Sequence, residues 1–212
     1  EDFARAFDAW MKSKPVDIGN TVRRGIMYFR RTGEACVPLS EDAGNGAAMR
    51  CAPIAIALLG APREDIERQV LAQAHVTHHN PLSDAACLAL VEMVQAGLVH
   101  ANPIRAIRDA MACANRLARE TPIFRFRGRP MANPGGYIVE TMRAVLQALD
   151  LNDNFESALV DVVNRGGDAD TTGAILGMVM GALHGETALP ARWLKALDPL
   201  ARRRSLELAD AL

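Results

Sequence analysis

The spacing of apolar and polar residues predicts a chain built almost entirely from helices. Apolar positions recur with the period of an amphipathic helix in a series of segments separated by Pro, Gly and polar residues. Ala, Leu and Met are plentiful and β-branched runs are short, which favours helix over sheet. The predicted helices are 1–14, 20–32, a run of small residues after 46, 64–77, 82–99, 103–120, 137–150, 155–164, an apolar run from 174, a short helix from 190 and a last helix from 198 to 212.

Proline and glycine interrupt the helical pattern between 121 and 136, and this predicts a long loop. Within the loop, Arg and Phe alternate at 123–129. Because the chain is nearly neutral, this alternation favours a solvated loop or a contact to a small nucleotide over a nucleic-acid groove. No tandem repeat or linker-like tract divides the chain. We therefore expect one all-α domain over residues 1–212.

Length, charge and cysteine content narrow the class of protein. The 212 residues are 50% hydrophobic, which is enough for a sizeable core, and the net charge of −1 gives no general attraction to nucleic acid or to a membrane surface. The longest apolar stretch, Gly173 to Leu183, is too short to span a bilayer, and no signal peptide opens the chain. The four cysteines share no short spacing. We therefore expect free thiols, neither a disulfide framework nor a zinc site, and a cytoplasmic location.

The greatest concentration of chemical groups is the segment 166–173, GGDADTTG. Two glycines release the backbone for a tight turn, and carboxylates and hydroxyls follow before a buried helix. Asp168 and Asp170 are two positions apart and can converge on one ion, and their oxygens suit a hard cation such as Mg²⁺ or Mn²⁺. The alternative is that Asp170 or Thr171 caps the helix by accepting backbone N–H bonds. The segment alone leaves both interpretations open.

Two other loops carry polar groups directly before helices. In 15–21, PVDIGNT, Asp17 and Asn20 precede the second helix, and the local pattern favours helix capping over a functional role. In 40–50, SEDAGNGAAMR, an acidic loop runs through Gly-Asn-Gly into small residues. Free N–H groups at that helix start could receive an anion, and small residues equally permit a tight crossing of two helices. These two interpretations are compatible.

Histidines and one tyrosine stand at breaks in the helical pattern. His75 and His79 would share a helix face, as zinc-binding histidines do, but no HExxH pattern and no third ligand accompany them. We therefore favour capping or hydrogen-bonding histidines over a zinc site. His78 is the better candidate for a ligand contact because it lies at the break before Pro81. Tyr137 closes the long loop and is either a core residue or a platform for a ring.

Four segments, taken together, resemble the ADP-ribosylglycohydrolase family. They are PVDIGNT at 15–21, DAGNGAAMR at 42–50, Thr77-His78 with Pro81, and GGDADTTG at 166–173. Their order and spacing match the family over nearly the whole chain, and the combination is specific although each motif alone is weak. The resemblance implies an all-α orthogonal helical bundle of the ADP-ribosylglycohydrolase type. It also implies hydrolysis of the N-glycosidic bond between ADP-ribose and an arginine side chain.

The same resemblance implies a centre of two metal ions, Mn²⁺ or Mg²⁺, at the bottom of a cleft. Asp168, Asp170 and Thr171 would be metal ligands, and Asp17 would lie near the scissile bond. An ADP-ribosylated protein, by resemblance nitrogenase iron protein, would be the substrate, and a PII-type signalling protein a regulator. The substrate-binding residues implied in this way are Asn20, Glu41, Gly44, Asn45, Gly46, Met49, His78 and Tyr137.

One part of the family's pattern is not found in these residues. Members of the family carry a second set of metal ligands, an Asp-Asp-Thr stretch, near the N-terminus. The sequence begins at Glu1 inside or at the edge of a helix, so we expect that a native N-terminal segment is missing. If the metal centre is instead half-built, the alternative to an ADP-ribosylarginine hydrolase is an inactive ADP-ribose-binding or regulatory module. Hydrolysis of a different ADP-ribosylated substrate also stays open.

Overall fold

A computed structural model describes residues 1–211, and this part of the chain contains helices and no β-strand. One isolated β-bridge joins Gly44 to Tyr137. Three short 3₁₀ turns lie at Ala48–Arg50, Pro122–Phe124 and Glu186–Ala188. The α-helices are α1 Asp2–Lys12, α2 Asn20–Thr32, α3 Ala52–Ala57, α4 Arg63–Ala74, α5 Pro81–Val99, α6 Pro103–Glu120, α7 Ile138–Leu151, α8 Phe155–Asn164, α9 Ala169–His184, α10 Ala191–Ala196 and α11 Pro199–Ala211.

The all-α fold class is confirmed, and the helices differ from the predicted ones in two places that matter. The prediction of one helix after residue 46 is wrong, because a 3₁₀ turn at Ala48–Arg50 is followed by the separate short helix α3. Pro53 lies in the first turn of α3, where its missing N–H costs nothing, and so starts a new helix there. The helix predicted over 64–77 ends at Ala74, so His75 is its C-cap and does not share a helix face with His79.

Helix α5 is the central helix of the bundle. Asn80 caps it by accepting the Leu82 N–H at 2.9 Å, and Pro81 occupies its first turn. By length and composition, α5 is also the one helix of residues 1–211 that could cross a membrane. Its apolar residues pack against α3, α4, α6, α7 and α9. Burial inside the bundle therefore accounts for its composition.

Helix α9 packs on α5, α7 and α8, and its middle, including Ile175 and Leu176, is fully buried. Gly173, Gly177 and Gly181 form a glycine stripe along one face of this helix, and it permits close packing at its first half. A Cβ on Gly173 would lie 3.1 Å from Val163 Cγ2, whereas a Cβ on Gly181 would have no heavy atom within 4 Å. The close approach of α8 therefore depends on the N-terminal half of the stripe, next to the acidic turn.

The ends of the chain and the long loop have different environments. Helix α1 packs on α2 and α4. In the loop, Phe124 and Phe126 are buried in the core, so they do not offer exposed rings to a nucleotide. Helix α11 has no buried residue, and its arginines at 202–204 are exposed.

Candidate active site

The acidic turn before α9 is held in a conformation that requires glycine. Gly166 and Gly167 have φ values of +79° and +65°, in the left-handed region that favours glycine. A Cβ on Gly167 would overlap the Pro134 carbonyl oxygen and lie 2.7 Å from the Asn133 carbonyl carbon. The Asp168 N–H donates to the same Pro134 oxygen at 2.7 Å. The turn is therefore locked against the loop that precedes α7.

The carboxylate of Asp168 is fixed by a buried amide. Asn45 Nδ2 donates to Asp168 Oδ2 at 2.7 Å and to Thr141 Oγ1 at 3.0 Å, and Thr141 in turn donates to the Gly135 carbonyl at 3.2 Å. Asn45 and Thr141 are buried. Asn45 therefore joins the loop at 42–46, the start of α7 and the acidic turn. Sequence reasoning missed Thr141 because nothing in the helical pattern of α7 distinguishes it.

Helix capping does not explain the acidic residues of this turn. Helix α9 begins at Ala169, so Asp170 and Thr171 lie inside its first turn rather than at the cap. Asp168 occupies the N-cap position, but its side chain accepts no capping hydrogen bond. Asp170 is exposed and Thr171 is half-buried. The capping interpretation is wrong for this segment, because none of these side chains caps α9.

The loop at 43–46 runs beside the start of α7 through paired backbone hydrogen bonds. The Asn45 N–H donates to the Gly136 carbonyl at 3.0 Å, and the Ile138 N–H donates to the Ala43 carbonyl at 2.9 Å. This pairing places Gly44 opposite Tyr137. Tyr137 is 41% exposed, so of the two roles predicted for it the structure excludes a core position.

His78 lies buried beneath the same loop. A Cβ on Gly44 would lie 3.0 Å from His78 Nε2, and a Cβ on Gly46 would lie 2.8 Å from its Cε1. The glycines therefore let the backbone rest on the edge of the imidazole. Burial lowers the pKa of His78 to about 4, and the nearby Arg50 guanidinium acts in the same direction. The imidazole is neutral at pH 7.

Arg50 is a half-buried residue that joins several segments, and sequence reasoning did not single it out. Its guanidinium donates to Gln73 Oε1 at 2.8 Å, to the Gln73 carbonyl at 3.0 Å and to Thr77 Oγ1 at 2.8 Å. Thr77 Oγ1 is 2.7 Å from His78 Nδ1, and the Phe7 ring lies 4.3 Å from the guanidinium carbon. Burial lowers the pKa of Arg50 to about 10, which leaves it charged at pH 7. The sequence does offer one signal for such a role, because Arg50 is a charged residue inside a run of small residues.

Asp17 and Asn20 lie on the connection between α1 and α2, and both are exposed. Asp17 Oδ1 accepts the N–H of the adjacent Ile18 at 2.8 Å. Helix α2 begins at Asn20, its N-cap is Gly19, and no side chain caps it, so the capping interpretation is wrong here too. Within residues 1–211, no hydrogen bond joins either side chain to Asp168.

The remaining candidates form the rim of this region. Glu41 is exposed and Met49 is 42% exposed. Between α2 and the segment 37–42 lies a cavity of about 520 Å³, at whose edge Arg24 pairs with Asp42. The cavity does not include the acidic turn. Its lining residues are Thr21, Arg24, Gly25, Met27, Tyr28, Arg31, Val37, Pro38, Ser40, Asp42 and Thr77.

Comparison with known proteins places the chain in a family. The ADP-ribosylglycohydrolase family model matches residues 1–212, and the chain belongs to that family. The chain is 47% identical over 215 residues to an ADP-ribosyl-[dinitrogen reductase] glycohydrolase of Rhodospirillum rubrum, covering 100% of this chain and 70% of that protein. It is 28% identical over 211 residues to the ADP-ribosylarginine hydrolase Tri1 of Serratia proteamaculans (strain 568), covering 92% of this chain and 54% of that protein.

A solved structure has the same fold. It is described as an ADP-ribosylglycohydrolase-related protein complex, and its chain superposes with a TM-score of 0.79 at 29% sequence identity. The match covers 97% of this chain and 71% of that one. The orthogonal helical bundle expected from the resemblance is thus confirmed. The chain spans between about half and about 70% of the length of these relatives.

Proposed function

We propose that this protein is a hydrolase that releases ADP-ribose from the arginine side chain of a modified protein. The observation that carries the proposal is the contact from Asn45 to Asp168, because it joins the loop at 42–46 to the acidic turn in one rigid corner. The relative that is 47% identical is named as a glycohydrolase of ADP-ribosyl-[dinitrogen reductase]. We therefore propose ADP-ribosylated nitrogenase iron protein as the substrate. From the family resemblance alone, we also propose a PII-type protein as a regulator.

The acidic turn supplies the kinds of ligand that a hard divalent cation takes. Asp168, Asp170 and Thr171 present two carboxylates and a hydroxyl, without thiolate or imidazole, at the first turn of α9. We propose that these residues hold Mn²⁺ or Mg²⁺. When bound, the ion would supply Lewis acidity to the ribose oxygens and lower the pKa of a coordinated water.

The other residues of the site would bind and orient the substrate. Asp17 is exposed and free to accept a bidentate hydrogen bond from the leaving guanidinium, with Asn20 at the start of the helix that follows. Tyr137 would stack on a ring of the substrate, and the loop from Glu41 to Met49, with Gly44, Asn45 and Gly46, would wrap the phosphates and ribose. His78, neutral and buried, would support that loop from below rather than contact the ADP-ribose directly.

The test measures release of ADP-ribose from an ADP-ribosylated arginine protein in the presence of Mn²⁺. We expect Asp170→Ala to reduce the rate at least about 100-fold, as the loss of a metal ligand does. The matched control is Glu186→Ala, which removes an exposed acid at the other end of α9. Equal rates for Asp170→Ala and the wild type would overturn the ligand assignment. Binding of ADP-ribose without any release would instead support an inactive binding module.

A further inference from the structure

The structure assigns a second cation site, of the zinc class, to Cys36, His75 and His79. One ligand atom from each of these residues lies within 4.8 Å of the other two. Zn²⁺ prefers thiolate and imidazole ligands, whereas Mn²⁺ and Mg²⁺ prefer oxygen ligands. The site is separate from the acidic turn, shares no residue with it and does not depend on the proposed function.

The three residues come from two segments that backbone hydrogen bonds hold side by side. The Val37 N–H donates to the His75 carbonyl at 2.9 Å, and the Ser40 N–H donates to the His79 carbonyl at 2.9 Å. Asn80 Nδ2 adds a bond to the Ser40 carbonyl at 2.8 Å. The fold, rather than the sequence spacing, therefore supplies the third ligand that the two histidines lacked.

Each histidine already has the partner that metal-bound histidines use. His75 Nε2 lies 3.0 Å from both carboxylate oxygens of Asp84, which leaves Nδ1 free for a cation. His79 Nδ1 lies 2.7 Å from the Val37 carbonyl oxygen. A carboxylate or carbonyl on the second nitrogen fixes the tautomer and raises the basicity of the first. For His75 this arrangement is in place before a cation binds, and for His79 it leaves Nε2 as the ligand atom.

A second histidine–aspartate pair shows that this pairing alone is not the signal. His100 Nε2 lies 2.8 Å from Asp109 Oδ2, with the same nine-residue spacing as His75 and Asp84. Within residues 1–211, however, His100 belongs to no group of three ligand atoms. The added thiol and second imidazole are what distinguish the first pair, and His100 is the natural control.

Small movements bring the ligands to bonding distance. Bonds of about 2.0–2.3 Å in a tetrahedral site place neighbouring ligand atoms about 3.3–3.8 Å apart. Cys36 Sγ is 3.7 Å from His79 Nδ1, while the two imidazole rings stack at 3.9 Å and 25°. Because His79 Nδ1 already contacts the Val37 carbonyl, the His79 ring must turn to present Nε2 to the ion. Burial, followed by the Asp84 and Glu34 carboxylates, raises the pKa of the Cys36 thiol, so the cation must displace its proton.

A cation here would act as a structural clamp. It would tie the segment 36–40 to the turn at 75–80, beside His78 and just before the loop at 42–46. Three protein ligands leave the fourth position to water. The site therefore has the form of a labile clamp on the loop rather than of a closed four-ligand zinc site.

The test titrates Co²⁺, and then competing Zn²⁺, into the purified protein. We expect a thiolate-to-Co²⁺ charge-transfer band together with visible ligand-field bands, and displacement of both by Zn²⁺. Cys36→Ser should abolish the charge-transfer band. His79→Gln should weaken cation binding at least about tenfold, because loss of even an outer hydrogen-bond partner of a metal ligand costs about 10- to 100-fold in affinity. Both substitutions are outside the core, because Cys36 is exposed and His79 half-buried.

Three control variants test whether the spectrum comes from these three ligands. Cys113→Ser and His100→Gln should keep the spectrum, as should Asp170→Ala, which alters only the acidic turn. Thermal unfolding gives an independent readout, since Zn²⁺ should raise the melting temperature of the wild type but not of Cys36→Ser. A spectrum without a thiolate band, or one that Cys36→Ser leaves unchanged, would overturn the proposal. So would equal stabilisation of both proteins by Zn²⁺.

Discussion

Asp168 and Asp17 each lie just before a helix, yet the protein holds them in opposite ways. Asp168 follows two glycines with positive φ, and hydrogen bonds through Asn45 and Pro134 tie it to two other loops. Asp17 is exposed and accepts a hydrogen bond from its own neighbour, Ile18. Folding thus fixes the geometry of one carboxylate and leaves the other to be positioned by what binds it. A site of this form has one rigid corner and one adaptable edge.

The largest expected effect comes from breaking the rigid corner with Gly167→Ala. The added methyl would overlap the Pro134 carbonyl oxygen while the backbone stays at φ +65°. We expect the free energy of unfolding to fall by more than about 3 kcal/mol and ADP-ribose release to be lost. Urea unfolding followed by circular dichroism measures the first quantity.

The matched control is Gly181→Ala in the same helix, where a methyl would have no heavy atom within 4 Å. Here we expect a gain of about 0.5–1 kcal/mol, because alanine is the better helix former. If both substitutions changed stability alike, the rigidity of the corner would not come from the glycine turn.

Acid should lower the free energy of unfolding through His78, which lies buried beneath the loop at 42–46. Its pKa is about 4 in the folded protein and about 6.5 in the unfolded chain. A histidine whose pKa is lowered by folding contributes its full stability above pH 6.5, and this contribution is lost as the pH falls toward 4. The expected loss is about 3 kcal/mol. We expect His78→Gln to flatten the profile of unfolding free energy against pH over this window, and parallel profiles would contradict this account.

Asn45→Ala removes the link between the loop at 42–46 and Asp168. We expect a loss of about 1–3 kcal/mol in unfolding free energy, because Asp168 Oδ2 and Thr141 Oγ1 lose a buried donor. Asn152→Ala is the matched control, since Asn152 donates to the Ala148 carbonyl and to Asp161 in the same manner, away from the site. Calorimetric titration of Mn²⁺ should show weaker binding for the Asn45 variant alone.

The smallest effect on stability is expected at the adaptable edge. Asp17→Asn should change the free energy of unfolding by less than about 0.5 kcal/mol, because the side chain is exposed and makes one local hydrogen bond. Release of ADP-ribose should nevertheless slow about 10- to 100-fold, the cost of losing a charge-assisted hydrogen bond to the substrate. A large loss of stability in this variant would remove the contrast between the two acids.

The sequence predicted the helices well because each one is a local pattern closed by local signals. Helices α2, α6 and α8 begin and end within a residue of their predicted bounds, and proline or asparagine marks their starts in two of the three. The predicted bounds were wrong where a helix ends and a tight turn follows without a long loop, as after Ala74 and at Ala48–Arg50. At Ala74 the chain turns where Arg50 and His78 make tertiary contacts, whereas α3 starts at the local signal Pro53, which the prediction of one helix overlooked.

The candidate site was predictable in part for the same reason. Asp168 and Asp170 stand out because their motif is contiguous in the sequence. Thr141 and Cys36 could not be found in this way, because each gains its meaning from a partner far along the chain: Thr141 from Asn45, and Cys36 from His79. Local reasoning assigned Cys36 to a set of unrelated free thiols, and the thiols are free, but this one lies beside two imidazoles.

Helix α9 changes its environment along its length, and this has a practical consequence for testing the proposed metal site. Its first turn carries Asp170 and Thr171, while Ile175, Leu176 and Val179 lie in the core. Amide protons in such a buried segment exchange with solvent only when the domain opens as a whole. A cation held at the first turn stabilises the folded state and so slows their exchange. Deuterium uptake by the interior of α9 is therefore a measure of occupancy that needs neither substrate nor catalysis.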